Sequence, residues 1–342
     1  MTGAERQYAA AGVDLRTAEA AKDRIARLAA GTRTGLSVGA VGGFGGMLRL
    51  PEGMRRPVLV LSTDGVGTKV LVAREAGRLD TVGEDLVNHG VNDILVHGAR
   101  PLAFQDYVAG AALSVEQIAS IVEGVARGCL AHGMVLAGGE TAQMPDLYRP
   151  GDFDLAGTIL GAVEEDEAIH GDRIVPGDVL LGYASTGLHT NGYTLARRVL
   201  FERMRLRLDS PFREAGGTVA DALLAVHRSY EAGLRQVLSA IHGLAHITGG
   251  GIPGNLVRIL PPDCEAVVES EAWPVPPLFR LLQEGGGIGD EEMREVFNLG
   301  VGMIAVLSRD TVDTVRAQAT AAGVETWMIG EVRRGTARVR YA

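Results

Sequence analysis

The chain has 342 residues, enough for about two domains, and its 46% hydrophobic and 22% charged fractions are those of a globular protein with ample core. A formal charge of −9, with no basic run or aromatic–basic strip, argues against a nucleic-acid partner. No apolar stretch reaches the ~18 residues a membrane helix needs. The first residues, Met1 to Arg6, lack a signal-peptide pattern. Cys129 and Cys264 stand alone in the sequence and read as small buried hydrophobes of a cytoplasmic protein.

Taken in order, helical spacing predicts an amphipathic helix from Thr17 to Ala30. The run Gly42-Gly43-Phe44-Gly45-Gly46 is too permissive for regular structure and offers unhindered amide donors. The 47 glycines of the chain are roughly twice the usual share of about 7% and cluster in such loops. A strand from Val58 to Ser62 then delivers Thr63-Asp64-Gly65-Val66-Gly67-Thr68-Lys69 into a turn. Consecutive amides in a glycine-rich turn form a concavity for anions, Asp64 suits a hard cation, and Lys69 suits a phosphate. Lys69 is one of only two lysines among 33 basic residues, which points to a need for a compact point charge. For this heptapeptide alone, a tight turn with a solvated lysine is the alternative.

Thr81 to Val96 reads as a helix, with Asn92-Asp93 placed to pack beside the Asp64 turn, and Phe104 to Val108 as a strand. Ser114 and Gln117 form a capping-box pattern opening a helix to about Ala131. Strands follow at Met134–Ala137 and Leu155–Val163. Gly138-Gly139-Glu140-Thr141 leaves the first of them, so Glu140 is expected to project from a strand end as Asp64 does. The charge run Glu164-Glu165-Asp166-Glu167, followed by Gly171 and Pro176-Gly177, marks a domain break and gives domains 1–167 and 168–342.

In the second half, strands are expected at Val179–Ala184, Glu265–Val268, Val301–Leu307 and Glu325–Val332. Helices are expected over Tyr193–Arg203, within Ala220–His242 and over Asp310–Ala322. Ser185-Thr186-Gly187-Leu188-His189-Thr190-Asn191-Gly192-Tyr193 passes from strand to helix, bringing hydroxyls and amides to a helix N-terminus. His246-Ile247-Thr248-Gly249-Gly250-Gly251 is a further loop of this kind. Strands alternating with helices in both halves argue for α/β-type or α+β layers. The chain has no G-x-x-x-x-G-K-[ST] loop, no G-x-G-x-x-G between strand and helix, no H-E-x-x-H and no closely spaced Cys/His zinc pattern. Each island has a structural reading of its own, with Asp93 as a cap, Glu140 at a solvated turn, and His189 or His246 as packed histidines. Together, Asp64, Asp93 and Glu140 suit Mg²⁺, which takes a few carboxylates plus phosphate oxygens rather than a full protein cage.

T-D-G-V-G-T-K, V-N-D, G-G-E-T-A-Q-M-P, S-T-G-L-H-T-N-G-Y and H-I-T-G-G-G, in this order and at these spacings, resemble the aminoimidazole ribonucleotide synthetases, also called phosphoribosylformylglycinamidine cyclo-ligases. The likeness extends from Tyr8-Ala9-Ala10-Ala11-Gly12-Val13-Asp14 through Phe297-Asn298-Leu299-Gly300-Val301-Gly302-Met303 to Trp327-Met328-Ile329-Gly330. Leu188 in place of proline and Thr190 in place of serine are mild departures. The resemblance implies a two-domain α+β fold of the cyclo-ligase/synthetase superfamily. Its N-terminal domain would bind ATP and metal and give strands to an intersubunit β-barrel in a homodimer, with a C-terminal α/β domain alongside.

The implied reaction is ATP-dependent cyclisation of formylglycinamidine ribonucleotide to 5-aminoimidazole ribonucleotide, with ADP and phosphate released. The implied cofactors are ATP and Mg²⁺, with K⁺ a further candidate. By the same resemblance, Asp64, Asp93 and Glu140 hold the metal. Gly42, Gly43, Phe44, Gly45, Gly46, Asp64, Gly65, Gly67, Thr68, Lys69 and Thr141 bind the nucleotide. Ser185, Gly187, His189, Thr190, Asn191, Thr248, Gly249 and Gly250 take the substrate. His189, Asn191 and Lys69 serve the chemistry, His189 as first choice for proton transfer because it can act near neutral pH. A catalytically silent nucleotide-binding or scaffold chain of the same fold is the alternative reading.

Overall fold

A computed structural model describes residues 15–39 and 45–342, so Gly42, Gly43 and Phe44, like the stretch Tyr8 to Asp14, lie outside the described residues. The chain forms two compact units. One takes in the described residues up to Ile94 together with Arg100–Glu164; the other takes in Leu95–Ala99 and Glu165–Ala342.

Among the described residues the first unit begins with helix α1 (Leu15–Gly31), followed by a short antiparallel pair, β1 (Ser37–Val38) with β2 (Met47–Leu48), on either side of the glycine run. Its main sheet has four strands: β3 (Pro57–Gly65), β4 (Arg100–Gly110), β5 (Val135–Gln143) and β6 (Phe153–Glu164). They lie in the order β3-β6-β4-β5, with β4–β5 the parallel pair. Helices α2 (Lys69–Ala76), α3 (Asp80–Leu95) and α4 (Val115–Ala131) also belong to the unit, and α4 opens with the expected Ser114/Gln117 capping box. The helices α3 and α4 cross in close contact. A β-carbon at Gly124 would fall 1.9 Å from the carbonyl oxygen of Asp80, which only a residue without a side chain avoids. Leu86 and Gly90 of α3 pack on Phe104, Gly157 and Ile159 of the sheet. On the other side of the sheet Leu59 and Leu61 remain 50% and 64% exposed, with Tyr107 39% exposed.

The second unit is built on a six-stranded sheet. Its strands are β7 (Val179–Ala184), β10 (Ile241–His246), β11 (Cys264–Val268), β12 (Val301–Leu307), β13 (Thr326–Arg334) and β14 (Arg338–Tyr341), with β8 (Pro211–Phe212) and β9 (Gly217–Thr218) pairing apart as a short hairpin. The order is β10-β12-β7-β13-β11-β14, antiparallel except for β11–β14. Leu181, Tyr183, Met303 and Ala305 enter one hydrophobic cluster, and Leu180, Ile304, Val306 and Ile329 the other. Burial on both faces explains why all seven residues of β12 are buried and why it reads as an unbroken apolar run. The helices are α5 (Tyr193–Arg197), continued by a π-helical turn Arg198–Arg203, then α6 (Val219–Leu223), α7 (Glu231–Leu234), α8 (Gly251–Leu256), α9 (Pro277–Gly286), α10 (Asp290–Val296) and α11 (Val312–Ala321). Mainly antiparallel sheets with helices make the fold α+β.

Several elements differ from the sequence reading. The strand expected to end at Ser62 runs on through Gly65, so Asp64 is a strand residue. The strand expected to end at Ala137 continues to Gln143 and contains Glu140, because parallel pairing with β4 overrides the low strand propensity of Gly138-Gly139. The segment Ala220–His242 holds only short helices and already enters β10 at Ile241. Helices α9 and α10 and strand β14 were not anticipated.

Candidate functional site

Polar residues gather at two places, one in each unit. In the first unit, Asp64 lies near the end of β3 and Asp93 on the last turn of α3, bridged by a histidine one helical turn earlier. His89 Nε2 stands 2.9 Å from Asp64 Oδ2 and 3.6 Å from Asp93 Oδ2. Ser62 Oγ donates to Asp93 Oδ2 at 2.8 Å, and the Gly65 amide donates to Asp64 Oδ1 at 2.7 Å. Burial disfavours a charged His89, but the hydrogen bond to Asp64 and the charges of Asp93, Asp64 and Asp85 outweigh it and raise its pKa. Burial would raise the Asp64 pKa, yet the His89 hydrogen bond and charge and the Gly65 amide hold it below the usual carboxylate value. The Asp64 side chain is 52% exposed and that of Asp93 22%. Two carboxylates with exposed surface, gathered around His89, are oxygen donors of the type a hard divalent cation takes.

Lys69 corrects the sequence reading. Its ammonium lies 2.8 Å from Asp85 Oδ2, and neither side chain has any exposed surface. Burial pulls the Lys69 pKa down while Asp85 opposes it. The turn before it is as expected, with Gly67 at φ +55° and Thr68 as the residue capping α2, but the lysine points inward rather than toward a ligand.

Glu140 does not join Asp64 and Asp93 within one chain. One row across the sheet reads Asp64, Gly157, Asp106, Gly139, and the next reads Gly65, Ala156, Tyr107, Glu140. Asp64 and Glu140 therefore stand on opposite edge strands, three strand spacings or about 14 Å apart, and in rows that face opposite ways. Glu140 is exposed and Thr141 donates its amide to Glu140 Oε1 at 2.9 Å. Gly46, the end of the glycine run, lies on the Glu140 side: a β-carbon there would fall 2.6 Å from the carbonyl oxygen of Ala137. Gly45 is exposed beside it. Beneath Glu140, Gly139 packs on Asp106, whose Oδ1 would lie 2.4 Å from a β-carbon at 139. Burial raises the Asp106 pKa to about 7.

In the second unit, the loop 185–192 between β7 and α5 is held by Asn298. The Asn298 side chain donates to the Gly187 carbonyl at 2.8 Å and accepts from Ser185 Oγ at 3.1 Å and from the Gly300 amide at 2.8 Å. His189 sits in this loop with φ +60°, a conformation that costs a non-glycine residue roughly 1 kcal/mol or more. Its ring is 1% exposed, and Nε2 accepts the Thr186 amide at 3.2 Å. A backbone N–H can only donate, so the proton of a neutral His189 resides on Nδ1. Asn191 lies against the second loop, Oδ1 being 3.3 Å from the position of a β-carbon at Gly249. Buried Asn255 ties that loop by donating to the carbonyls of Thr248, Gly249 and Gly251 and accepting from Thr248 Oγ1. Gly250 caps α8 at φ +96°. The helices α5 and α8 have only five and six residues, so the loop backbones rather than helix dipoles offer the donors here.

His189 stacks on His227 with ring centroids 4.0 Å apart and 22° between planes, and His227 Nε2 lies 3.1 Å from His246 Nε2. One nitrogen of each of the three lies within 4.8 Å of the others, a donor type that suits zinc-like ions. In this arrangement His189 Nε2 accepts the Thr186 amide and His227 Nε2 faces His246 Nε2, so these nitrogens are engaged with the backbone and with one another. Sequence reading singled out Asp64, Asp93, Glu140, His189 and Asn191. It passed over His89, Asp85, Asp106, His227, Asn255 and Asn298, of which only Asn298 lay in a quoted motif.

Two α+β units with a carboxylate pair in the first and paired glycine–histidine loops in the second define the class. The chain belongs to the AIR synthase related family, whose N-terminal domain matches residues 45–163 and whose C-terminal domain matches residues 175–341. Its relatives within that family include phosphoribosylformylglycinamidine cyclo-ligases. That of Burkholderia multivorans is 46% identical over 328 residues, covering 95% of this chain and 93% of its own. That of Sorangium cellulosum is 46% identical over 329 residues, covering 95% and 94%. The fold is also similar to solved structures at lower identity. Thiamine-monophosphate kinase from Stenotrophomonas maltophilia K279a has a TM-score of 0.68 at 19% identity, over 94% of this chain and 95% of that one. The E. coli hydrogenase maturation protein HypE has a TM-score of 0.63 at 18% identity, over 94% and 92%. A HypE complex with ATP has a TM-score of 0.61 at 19% identity, over 91% and 87%.

Proposed function

We propose that this chain is an ATP-dependent cyclo-ligase that closes formylglycinamidine ribonucleotide to 5-aminoimidazole ribonucleotide, releasing ADP and phosphate, in the purine (IMP) biosynthesis of the cytoplasm. The observation that carries this reading is 46% identity to cyclo-ligases across 95% of the chain. An amide oxygen is a poor leaving group. ATP phosphorylates the formyl oxygen, the ribosyl-bearing nitrogen attacks the activated carbon, and phosphate departs. The task of the protein is to align the γ-phosphate with that oxygen and to neutralise charge.

Asp64 and Asp93 are the residues that would hold Mg²⁺, with His89 keeping both carboxylates oriented. Bound there, Mg²⁺ would neutralise charge on the phosphates. Gly45, Gly46, Gly65, Gly67, Thr68 and Thr141 contribute backbone and hydroxyl contacts to ATP. Lys69 acts by fixing Asp85 and the turn that follows Asp64. His189 presents its Nδ1–H as a hydrogen-bond donor in the reaction, since Nε2 is occupied by the Thr186 amide, and Ser185, Gly187, Thr190, Asn191 and Thr248–Gly250 orient the ribonucleotide. K⁺ is a further candidate cofactor, testable by exchange for Na⁺.

The assembly we infer is a homodimer in which the sheets of two first units close a barrel. The exposed apolar side chains Leu59 and Leu61 and the edge strand β3, which among the described residues pairs only with β6, support it. In this arrangement Glu140 and Gly46 serve the Asp64–Asp93 pair of the partner subunit. ADP release measured with and without formylglycinamidine ribonucleotide tests the reaction. Release that does not depend on the ribonucleotide would favour a nucleotide-binding relative of the same fold.

A further inference from the structure

His227 lies in the irregular segment between α6 and α7 and is fully buried. Both of its ring nitrogens are engaged: Nδ1 stands 3.4 Å from Thr190 Oγ1, and Nε2 3.1 Å from His246 Nε2. With both nitrogens occupied, what the ring has left to offer is its flat face, which can hold another ring. We propose that His227 is a positioning residue for His189, a flat buttress that sets the plane of the His189 ring. The proposal rests on His189 acting in the reaction through its Nδ1–H.

Three contacts converge on that role. The two rings stack at 4.0 Å and 22°. The Thr186 amide fixes the rotation of the His189 ring by donating to Nε2, while Thr186 Oγ1 donates to the Val226 carbonyl at 2.5 Å, next to His227. Loop 185–192 and the His227 segment are thereby stitched on both sides of the stack. Elsewhere around His189, Gly302 leaves room for its edge: a β-carbon at 302 would fall 2.5 Å from His189 Cε1. His189 itself has a left-handed backbone, which persists only where the surroundings over-determine it. A stacked ring tied at both nitrogens is such a determinant.

The test compares His227→Leu, which removes the flat ring, with His227→Phe, which keeps the ring but not its nitrogens. His227→Leu is expected to lower kcat roughly 10- to 100-fold with KM for ATP and ribonucleotide little changed, as for a small misplacement of a reacting group. His227→Phe is expected to recover most of that loss. Turnover by His227→Leu within twofold of wild type, or equal turnover by the two variants, overturns the proposal. If His227→Leu does not fold, His227→Gln takes its place, and a glutamine variant as fast as the phenylalanine variant overturns it. On the wild-type protein, ¹⁵N-histidine solid-state NMR should find His189 in a single tautomer with the proton on Nδ1; a mixture of tautomers counts against a fixed ring. His189→Asn run in parallel separates the two readings. Normal turnover there removes the role of His189, whereas a slow His189→Asn beside a normal His227→Leu removes only the role of His227.

Discussion

The Lys69 ammonium and the Asp85 carboxylate form an ion pair at 2.8 Å from which water is excluded on both sides. Breaking a buried pair by removing one partner leaves an uncompensated charge and costs about 3–5 kcal/mol, whereas replacing both by apolar groups is often close to neutral. Lys69→Ala should therefore lower the melting temperature sharply, and Lys69→Met combined with Asp85→Leu should restore much of it. A Lys69→Ala protein that melts like wild type but binds ATP poorly would return Lys69 to the phosphate-clamp role its glycine-rich turn suggests.

For the carboxylate pair of Asp64 and Asp93, catalysis should require Mg²⁺ or Mn²⁺. Asp64→Asn should reduce kcat by on the order of 10²-fold or more, given the several kcal/mol of charge stabilisation a metal provides. Undiminished turnover in excess EDTA would remove the metal from the reading. His89→Leu should raise the Mg²⁺ concentration needed for half-maximal rate with a smaller loss of kcat than Asp64→Asn, because His89 orients the acids without being one of them.

How far the site could be read in the sequence depends on how local each interaction is. Asp64, Asp93, Glu140 and His189 stand in short motifs whose residue types carry their own chemistry. The direction of a side chain is different. Lys69 sits beside a phosphate-type turn, yet a partner 16 positions later in α3 turns it inward, and no spacing rule anticipates Asp85. Glu140 was expected at a strand end because Gly138-Gly139 looks like a break. Only the pairing with β4, which needs Gly139 bare beside Asp106, keeps the strand going. The apolar runs of β7 and β12 were legible because they are buried on both faces. Strand β10, with Gly243 and two histidines, gave no such signal.

Asp106 offers a pH prediction. Its folded-state pKa is raised from 3.8 to about 7 by burial. Between these values the unfolded chain ionises the carboxyl while the folded protein keeps it protonated, so its contribution to stability falls as pH rises from about 4 to about 7 and then levels off. The loss is at most about 4 kcal/mol. Asp106→Asn, which has no proton to lose, should match wild type near pH 4 and gain on it steadily toward pH 7 in denaturant melts. A stability difference that does not change over this range would place the Asp106 pKa at its ordinary value.

The last prediction concerns the assembly. Sedimentation at micromolar concentration should give a particle of twice the 36.0 kDa chain mass, and a single-chain particle would exclude the shared barrel. Mixed dimers test more. Asp64→Asn and Glu140→Gln chains should each be nearly inactive alone. If Glu140 of the partner subunit completes the acidic site, a dimer of one chain of each kind has one intact site and one doubly damaged site. Such dimers, isolated by two different affinity tags, should recover about half the wild-type activity. If each site were made within one chain, neither would be intact and the mixed dimer would be as inactive as its parents. The roughly 14 Å across the sheet between β3 and β5 favours the first outcome.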